Sequence, residues 1–145
     1  MKSVIQRVRE ARVEVDGAVV GAIQAGLLVL VCAESQDGPD TGRALLSKLL
    51  RLRVFSDAAG KMNRSLQDVS GGLLLVSQFT LAAECSGGNR PSFSRAAPAA
   101  QARALYEQLL ADARAMHPQV AAGVFGADMQ LHLVNDGPVT IPLDL

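Results

Sequence analysis

The sequence predicts a mixed α/β fold, in which two mainly antiparallel sheets form a barrel-like β/β sandwich with two helices packed outside. Three observations predict it. The beginning of the chain alternates apolar and charged residues around the hairpin dipeptide Asp16-Gly17. Two apolar runs of strand length, 27–32 and 73–76, follow glycines, and two other stretches repeat apolar residues at helical spacing. Residues 1–145 are expected to form one domain with one sizeable core.

Residues 2–15 and 18–24 are predicted to be the strands of the first hairpin, and residues 27–32 a third strand that completes a meander after a turn at Ala25-Gly26. Further strands are expected at 54–55, 73–76, 120–125, 129–134 and 139–143. Because residues 73–76 are all apolar, this strand is expected to be buried on both faces.

The first helix is expected to follow a cap at Asp40 or Thr41, and the second to have Pro98 in its first turn. The dipeptide His117-Pro118 should end the second helix. The apolar stripe of this helix is predicted to comprise Ala102, Leu105, Tyr106, Leu109, Leu110, Ala113 and Met116.

Charge and hydropathy exclude several classes of protein. Fourteen basic residues balance fourteen acidic ones, so a protein that wraps nucleic acid is not expected, DNA is not an expected partner, and any RNA must be held at few phosphates. Six basic residues lie between Arg43 and Arg64, which is typical either of a solvated face or of a phosphate contact. No apolar run approaches the roughly 20 residues of a membrane span, so a cytoplasmic protein without a membrane partner is expected.

Metal and cofactor sites are not indicated. Two histidines and two cysteines lie far apart in the sequence, so they offer no ligand spacing, and no cofactor motif is present. Cys32 lies within an apolar run and is expected in the core, whereas Cys85 lies in a polar loop.

Hydrogen-bonding side chains mark the end of the buried strand. Ser77, Gln78 and Thr80 follow the apolar run directly, and leaving each of them buried without a partner would cost roughly 1–3 kcal/mol. They are therefore either paired internally or face a pocket. Residues 135–140 have the same form, since a strand there runs into a polar turn with glycine and proline.

A conventional catalytic set is not visible. Ser77, His132 and Asp136 have the residue types of a serine-hydrolase triad, but no G-x-S-x-G elbow surrounds Ser77. Cys85 has no basic neighbour in the sequence that would activate its thiol for attack with His117. Paired carboxylates are also absent near either polar strand end.

Motifs distributed along almost the whole chain resemble those of one family, the D-aminoacyl-tRNA deacylases of the bacterial and eukaryotic type, formerly called D-tyrosyl-tRNA deacylases. The two most specific motifs are S-Q-F-T at 77–80 and N-x-G-P-V-T at 135–140. The others lie at residues 6–8, 53–57, 60–63, 81, 88–93, 105–106 and 123–129.

This resemblance implies hydrolysis of the ester between a D-amino acid and the terminal adenosine of tRNA, or of glycine mischarged on tRNA-Ala. It implies that Ser77, Gln78, Phe79 and Thr80 line the catalytic pocket and that Phe125 and Met129 lie near the adenosine. It further implies a homodimer in which Gly137-Pro138, the family's Gly-cisPro dipeptide, enters the partner's pocket and rejects L-amino acids.

Two mechanisms remain open from the resemblance. Thr80 is either the nucleophile, or the 2′-hydroxyl of the tRNA activates water while backbone N–H groups stabilise the oxyanion. The rival functions are a general hydrolase of small esters that uses Ser77 or Thr80 as nucleophile, and a non-catalytic module that binds RNA ends. The chain departs from the family at residues 84–87, where lysines are common, which weakens the case for a phosphate contact from this loop.

Overall fold

The computed structural model describes all 145 residues and has the predicted fold class, a mixed α/β structure with a nearly closed, barrel-like sheet. Its two α-helices are α1 (Pro39–Arg51) and α2 (Ala99–Met116), and a 3₁₀ turn spans Phe79–Ala82. None of the helices has the length and apolar character needed to cross a membrane. The strands are β1 (Lys2–Val15), β2 (Ala18–Ile23), β3 (Gly26–Cys32), β4 (Phe55–Ser56), β5 (Met62–Arg64), β6 (Gly72–Ser77), β7 (Val120–Ala122) and β8 (Gln130–Asp144).

Strand β1 organises the sheet. Its first half pairs with β3, its second half pairs with β2, and β8 runs antiparallel along almost its whole length. The predicted meander is therefore wrong, because β2 and β3 share one edge of β1 and Ala25-Gly26 does not reverse the chain. The physical reason is length: β1 has 14 residues, which is enough to accommodate two shorter strands end to end.

The sheet continues through parallel strands, with β6 beside β3 and β7 beside β6. Gly26 and Gly72 pair directly, and a Cβ added to Gly26 would stand 2.0 Å from the Gly72 carbonyl oxygen. On the opposite side β2 curls over β7, where a Cβ on Gly21 would stand 2.4 Å from the Ala122 oxygen. These glycines allow the backbones to approach closely and the barrel almost to close. Strands β4 and β5 form a separate small antiparallel sheet.

Two apolar clusters occupy the two faces of the sheet. Alternate residues of β3 and β6, such as Leu27 and Leu73, pack under α1 and α2 in a cluster of 17 buried residues. Their neighbours Leu28 and Leu74 point into the barrel and form a cluster of 7. Residues 73–76 are thus buried on both faces, as predicted.

The helix ends differ in detail from the sequence prediction. Gly38, not Asp40 or Thr41, is the cap of α1, because Pro39 occupies the first helical position. The Gly38 backbone N–H donates to the Thr41 hydroxyl at 3.4 Å. Pro98 is likewise the cap of α2 rather than part of its first turn. His117 ends α2 as predicted, but Met116 is 53% exposed and does not belong to the buried stripe.

The last strands also differ. Strand β7 stops at Ala122, before the predicted end at residue 125, and the two predicted strands at 129–134 and 139–143 are parts of one long strand, β8. Both parts pair with β1, so the polar turn between them does not end the strand but bulges out of the sheet.

Candidate active site

A pocket of about 670 Å³ opens between the ends of β3 and β6, the start of α2 and the segment that leads into β8. Five of the eight predicted site residues line it, and they are Ser77, Gln78, Phe79, Phe125 and Met129. Thr80 stands beside the pocket without lining it, and Gly137 and Pro138 lie outside the pocket of their own subunit.

The polar end of β6 turns sharply at the pocket. The backbone N–H of Gln78 donates to the Val31 carbonyl at 2.7 Å, which fixes the point where the strand becomes the 3₁₀ turn. Phe79 and Thr80 open this turn, so their N–H groups have no carbonyl within it to which they could donate. The side-chain amide of Gln78 hydrogen-bonds to the Thr80 hydroxyl at 2.6 Å. Main-chain donors and neutral side chains therefore define this end of the pocket.

Aromatic rings frame the mouth and one wall. Phe79 is 57% exposed and meets the Phe93 ring edge to face, with centroids 5.0 Å apart. The Phe125 ring centroid lies 6.0 Å from that of Tyr106, and the Arg103 guanidinium lies over the Phe125 ring, 4.8 Å from its centroid. These contacts hold Phe125 at the wall of the pocket.

Met129 depends on a glycine for its place in the wall. A Cβ on Gly123 would stand 2.7 Å from the Met129 sulfur, closer than van der Waals contact permits. Because Gly123 has no side chain, the thioether can lie against the backbone there and present its flexible body to the pocket.

No Asp, Glu, His, Lys or Arg side chain lines the pocket. Met1 lines it, but its terminal ammonium is paired with the buried Asp37 carboxylate at 2.9 Å, so the groups left for chemistry are neutral. The titratable side chains in its wall are Cys32 and Tyr106. Burial raises the pKa of the Cys32 thiol above its usual value, and burial raises the pKa of Tyr106 to about 12. The Tyr106 hydroxyl donates to the Leu75 carbonyl at 2.8 Å and is occupied structurally. Neither group is a general base near neutral pH.

The hypothetical catalytic sets are not assembled. His132 faces Glu14 at 3.5 Å, Asp136 faces Arg7 and Arg9, and neither lines the pocket with Ser77. His132 is also exposed. His117 is buried with its Nε2 2.7 Å from the Gly71 carbonyl oxygen. Cys85 is exposed and Cys32 is buried, as expected, and no cluster of three metal-ligating side chains occurs.

The bulge of β8 is the second polar feature. Asn135 pairs with Val8 and Thr140 with Gln6, so four residues, 136–139, stand opposite the single residue Arg7. The Asn135 side chain accepts from the Val139 N–H at 2.8 Å and donates toward the Val139 carbonyl at 3.1 Å, which closes the bulge. The Gly137-Pro138 peptide bond is cis, and both residues are exposed.

Arg7 anchors the bulge from below. Its Nε donates to the Asp136 carbonyl at 2.8 Å, and its Nη1 donates to the Val54 carbonyl at 2.5 Å. Residue types and spacing alone do not indicate this role for Arg7, nor the positions of Tyr106 and Phe93 at the pocket. For Arg7 the available signal was its position in the first family-like motif, at residues 6–8.

The fold and the site together define a barrel-like α/β protein whose apolar pocket ends in main-chain donors. The sequence model of the family described as D-Tyr-tRNA(Tyr) deacylase matches residues 4–144. The chain belongs to this family. It is therefore an enzyme that hydrolyses the ester bond of D-aminoacyl-tRNA. This reaction removes D-amino acids from tRNA in the proofreading of translation.

Individual relatives agree with this assignment. The D-aminoacyl-tRNA deacylase of Variovorax paradoxus (strain S110) is 63% identical over 145 residues, which cover 100% of this chain and 99% of the relative. That of Methylibium petroleiphilum is 66% identical over 143 residues, which cover 99% and 94%.

Two solved structures are also similar. One, titled c-Myc DNA Unwinding Element Binding Protein, is 41% identical with a TM-score of 0.93, covering 100% of this chain and 99% of that one. A probable eukaryotic D-amino acid tRNA deacylase has a TM-score of 0.86 at 17% identity, covering 99% and 98%, and supports the fold alone.

Proposed function

We propose that the pocket receives the aminoacyl-adenosine end of D-aminoacyl-tRNA and that a second copy of the chain completes it with its Gly137-Pro138 bulge. The observation that carries this proposal is the absence of any charged or imidazole side chain from the pocket wall. A site without an acid or base of its own needs a substrate that supplies one, and the terminal adenosine of tRNA carries a 2′-hydroxyl beside the ester.

The proposed reaction uses main-chain groups for electrostatic stabilisation. Water attacks the ester carbonyl carbon and loses a proton to the adjacent 2′-hydroxyl, which passes a proton to the departing 3′-oxygen. The carbonyl oxygen becomes an oxyanion at the N–H groups of Phe79 and Thr80, whose donors are free within the turn. The carbon–oxygen bond then breaks and releases the free D-amino acid and tRNA.

Thr80 has a supporting part in this scheme. Its hydroxyl already hydrogen-bonds to the Gln78 amide, and no base stands near it to remove its proton. Ser77 and Gln78 line the pocket and orient the aminoacyl group, while Phe125 and Met129 contact the adenosine. The same lack of a base argues against a general hydrolase of small esters that uses Ser77 or Thr80 as nucleophile.

The bulge is proposed to supply the choice between D- and L-amino acids. Gly137 and Pro138 are exposed, and the bulge that presents them is held by Asn135 and Arg7. Main-chain atoms of a glycine approach a substrate closely and do not yield as a side chain would. An L side chain then meets this wall, a D side chain points away from it, and glycine passes, so glycyl-tRNA is a substrate too.

A homodimer follows from this scheme, because the bulge does not reach the pocket of its own subunit. A two-fold dimer would complete both pockets with the same contact. We further propose that residues 1–145 act as one domain and that the reaction takes place in the cytoplasm, where translation uses aminoacyl-tRNA.

The test compares four substrates with one preparation of enzyme. Release of free amino acid is followed from D- and L-aminoacyl-tRNA, from glycyl-tRNA, and from D-aminoacyl-tRNA that ends in 2′-deoxyadenosine. We expect hydrolysis of the D and glycyl esters, almost none of the L ester, and a large loss on the 2′-deoxy substrate. Full activity on the 2′-deoxy substrate would refute the proposed role of the 2′-hydroxyl, and similar rates on D and L esters would refute the role of the bulge.

A further inference from the structure

The lysines and arginines that lack a carboxylate partner are concentrated in one part of the chain. Of the 14 lysines and arginines, half form ion pairs with carboxylates. Seven have no carboxylate partner, and five of these lie within residues 48–64, which we call the basic segment. The seven are Lys48, Arg51, Arg53, Lys61, Arg64, Arg90 and Arg114.

The basic segment joins the end of α1 to the small sheet of β4 and β5, and all five of its cationic residues are exposed. Its one carboxylate, Asp57, accepts hydrogen bonds from the Asn63 side chain and from the Ala59 and Lys61 N–H groups. This carboxylate is committed to its own loop. Five cations against one anion leave the segment with a net charge of +4 in a chain whose net charge is zero.

The basic segment lies next to the bulge. Arg7 donates to the carbonyl of Val54, inside the segment, and to the carbonyl of Asp136, the residue before Gly137. One guanidinium therefore ties the two together. If the bulge enters the partner's pocket, the basic segment of the same subunit stands at the rim of that pocket.

The subunit that owns the pocket offers little positive charge there. Arg95 is paired with Glu34 and Arg103 with Glu107, so Arg90, in the loop before Phe93, is the unpaired cation near the mouth. The aminoacylated end of a tRNA is followed by a run of phosphates that must leave the pocket past its rim. In the proposed dimer, every unpaired cation at this rim other than Arg90 belongs to the basic segment of the partner subunit.

We infer that the basic segment binds the phosphates of the tRNA acceptor stem in trans, on the substrate held in the partner's pocket. Exposed Arg and Lys side chains without carboxylate partners are suited to this contact. When they neutralise phosphates, counterions are released from the RNA. This inference rests on the proposed function, because it assumes that the bulge of one subunit enters the pocket of its partner.

The experiment removes charge from the segment and compares two substrates. The triple variant Arg53→Gln, Lys61→Gln, Arg64→Gln is assayed on D-aminoacyl-tRNA and on the D-aminoacyl ester of adenosine, which has no phosphate. We expect kcat/KM on tRNA to fall at least tenfold and kcat/KM on the adenosine ester to stay unchanged. The slope of log kcat/KM on tRNA against log salt should become shallower by about two to three.

A matched pair of single variants supplies the control. Arg53→Gln and Arg114→Gln each remove one exposed, unpaired arginine, but Arg114 lies near the end of α2, outside the segment. Only Arg53→Gln should raise KM for tRNA. The inference would be overturned if the two single variants raised KM for tRNA equally. It would also be overturned if the triple variant kept the wild-type salt slope, or lost as much activity on the adenosine ester as on tRNA.

Heterodimers test the action in trans. Ala102 lines the pocket, so Ala102→Trp fills it and leaves one working pocket when it is present in one copy. The triple variant should slow tRNA hydrolysis when it is in the same copy as Ala102→Trp and not when it is in the other copy. The reverse result would overturn the contact in trans. Failure of the proposed function is distinguishable, because the wild-type protein would then show no preference for D esters on either substrate.

Discussion

At the scale of single residues, the reactive end of the pocket consists of main-chain donors and neutral side chains. Ser77 and Gln78 line the pocket, and the Gln78 amide holds the Thr80 hydroxyl. Cys32 and Tyr106, the titratable residues in the wall, have pKa values raised by burial. In the proposed reaction these residues position the substrate and stabilise charge without exchanging protons near neutral pH.

Replacing Thr80 by alanine should lower the rate only modestly. We expect Thr80→Ala to reduce kcat on D-aminoacyl-tRNA by about tenfold or less, because the main-chain N–H of residue 80 is kept and only positioning is lost. Single-turnover release of the amino acid measures this. A loss of on the order of a thousandfold or more would instead identify Thr80 as the nucleophile.

Tyr106 predicts a pH dependence of stability. Its pKa is raised from 10.0 to about 12 by burial, so its contribution is complete below pH 10 and is lost as pH rises through 12. A pKa raised by this amount corresponds to about 3 kcal/mol of stability. Urea unfolding at pH 9 and pH 12 should therefore show a fall in the free energy of unfolding that is smaller in Tyr106→Phe.

The single tyrosine of the chain makes this comparison clean. At pH 9 the variant should be less stable by about 0.5–1.5 kcal/mol, because the Leu75 carbonyl loses the Tyr106 hydroxyl but keeps the Gly123 N–H as a donor at 3.0 Å. An identical fall in stability from pH 9 to pH 12 in the two proteins would contradict the assignment of the raised pKa to burial of Tyr106.

At the scale of elements, the candidate site lies at two interruptions of regular strand structure. Strand β6 ends in a 3₁₀ turn that presents Phe79 and Thr80, and β8 bulges at residues 136–139. Glycines elsewhere, Gly26 and Gly72 above all, let β3 and β6 approach closely, and the pocket opens at the ends of these two strands. Packing of β3 against β6 therefore underlies the position of the pocket.

Gly26 tests this packing. Gly26→Ala should lower the free energy of unfolding by about 3 kcal/mol or more, since the new Cβ would stand 2.0 Å from the Gly72 oxygen and force the strands apart. The control is Gly87→Ala, where a Cβ meets nothing within 4 Å and the change should stay within about 0.5 kcal/mol. Chemical denaturation measures both variants. A Gly26→Ala protein as stable as the control would show that β3 and β6 are not in this close register.

At the scale of the whole molecule, the sequence predicted the local elements better than their arrangement. The buried strand at 73–76, the hairpin at Asp16-Gly17 and the second helix follow from periodicity and turn chemistry, which are local. The strand order was not predictable in this way, because it depends on β1 being long enough to pair with both β2 and β3 along one edge.

The candidate site likewise has features that the sequence predicts and features that it does not. Polar residues at the end of a buried strand indicated the pocket, and the family-like motifs indicated its substrate. The sequence predicts a break between two strands where the structure has the bulge, because pairing with β1 on both sides is a long-range property. The links from Arg7 to Val54 and Asp136 span 47 and 129 residues of sequence and carry no local signal.

The central claim is that each site needs two copies of the chain, and complementation between two inactive variants tests it most directly. Ala102→Trp fills the pocket, whereas Gly137→Ala places a Cβ 2.9 Å from the Val139 nitrogen at a φ of +148° and distorts the bulge. Each variant alone should be inactive on D-aminoacyl-tRNA.

Mixed and allowed to exchange subunits, the two variants should form heterodimers with one intact pocket facing one intact bulge. With random exchange, about a quarter of the wild-type activity should return. Amino acid release from D-aminoacyl-tRNA by the exchanged mixture is the measurement. A mixture that contains heterodimers but remains as inactive as its parents would contradict a site completed by the partner subunit.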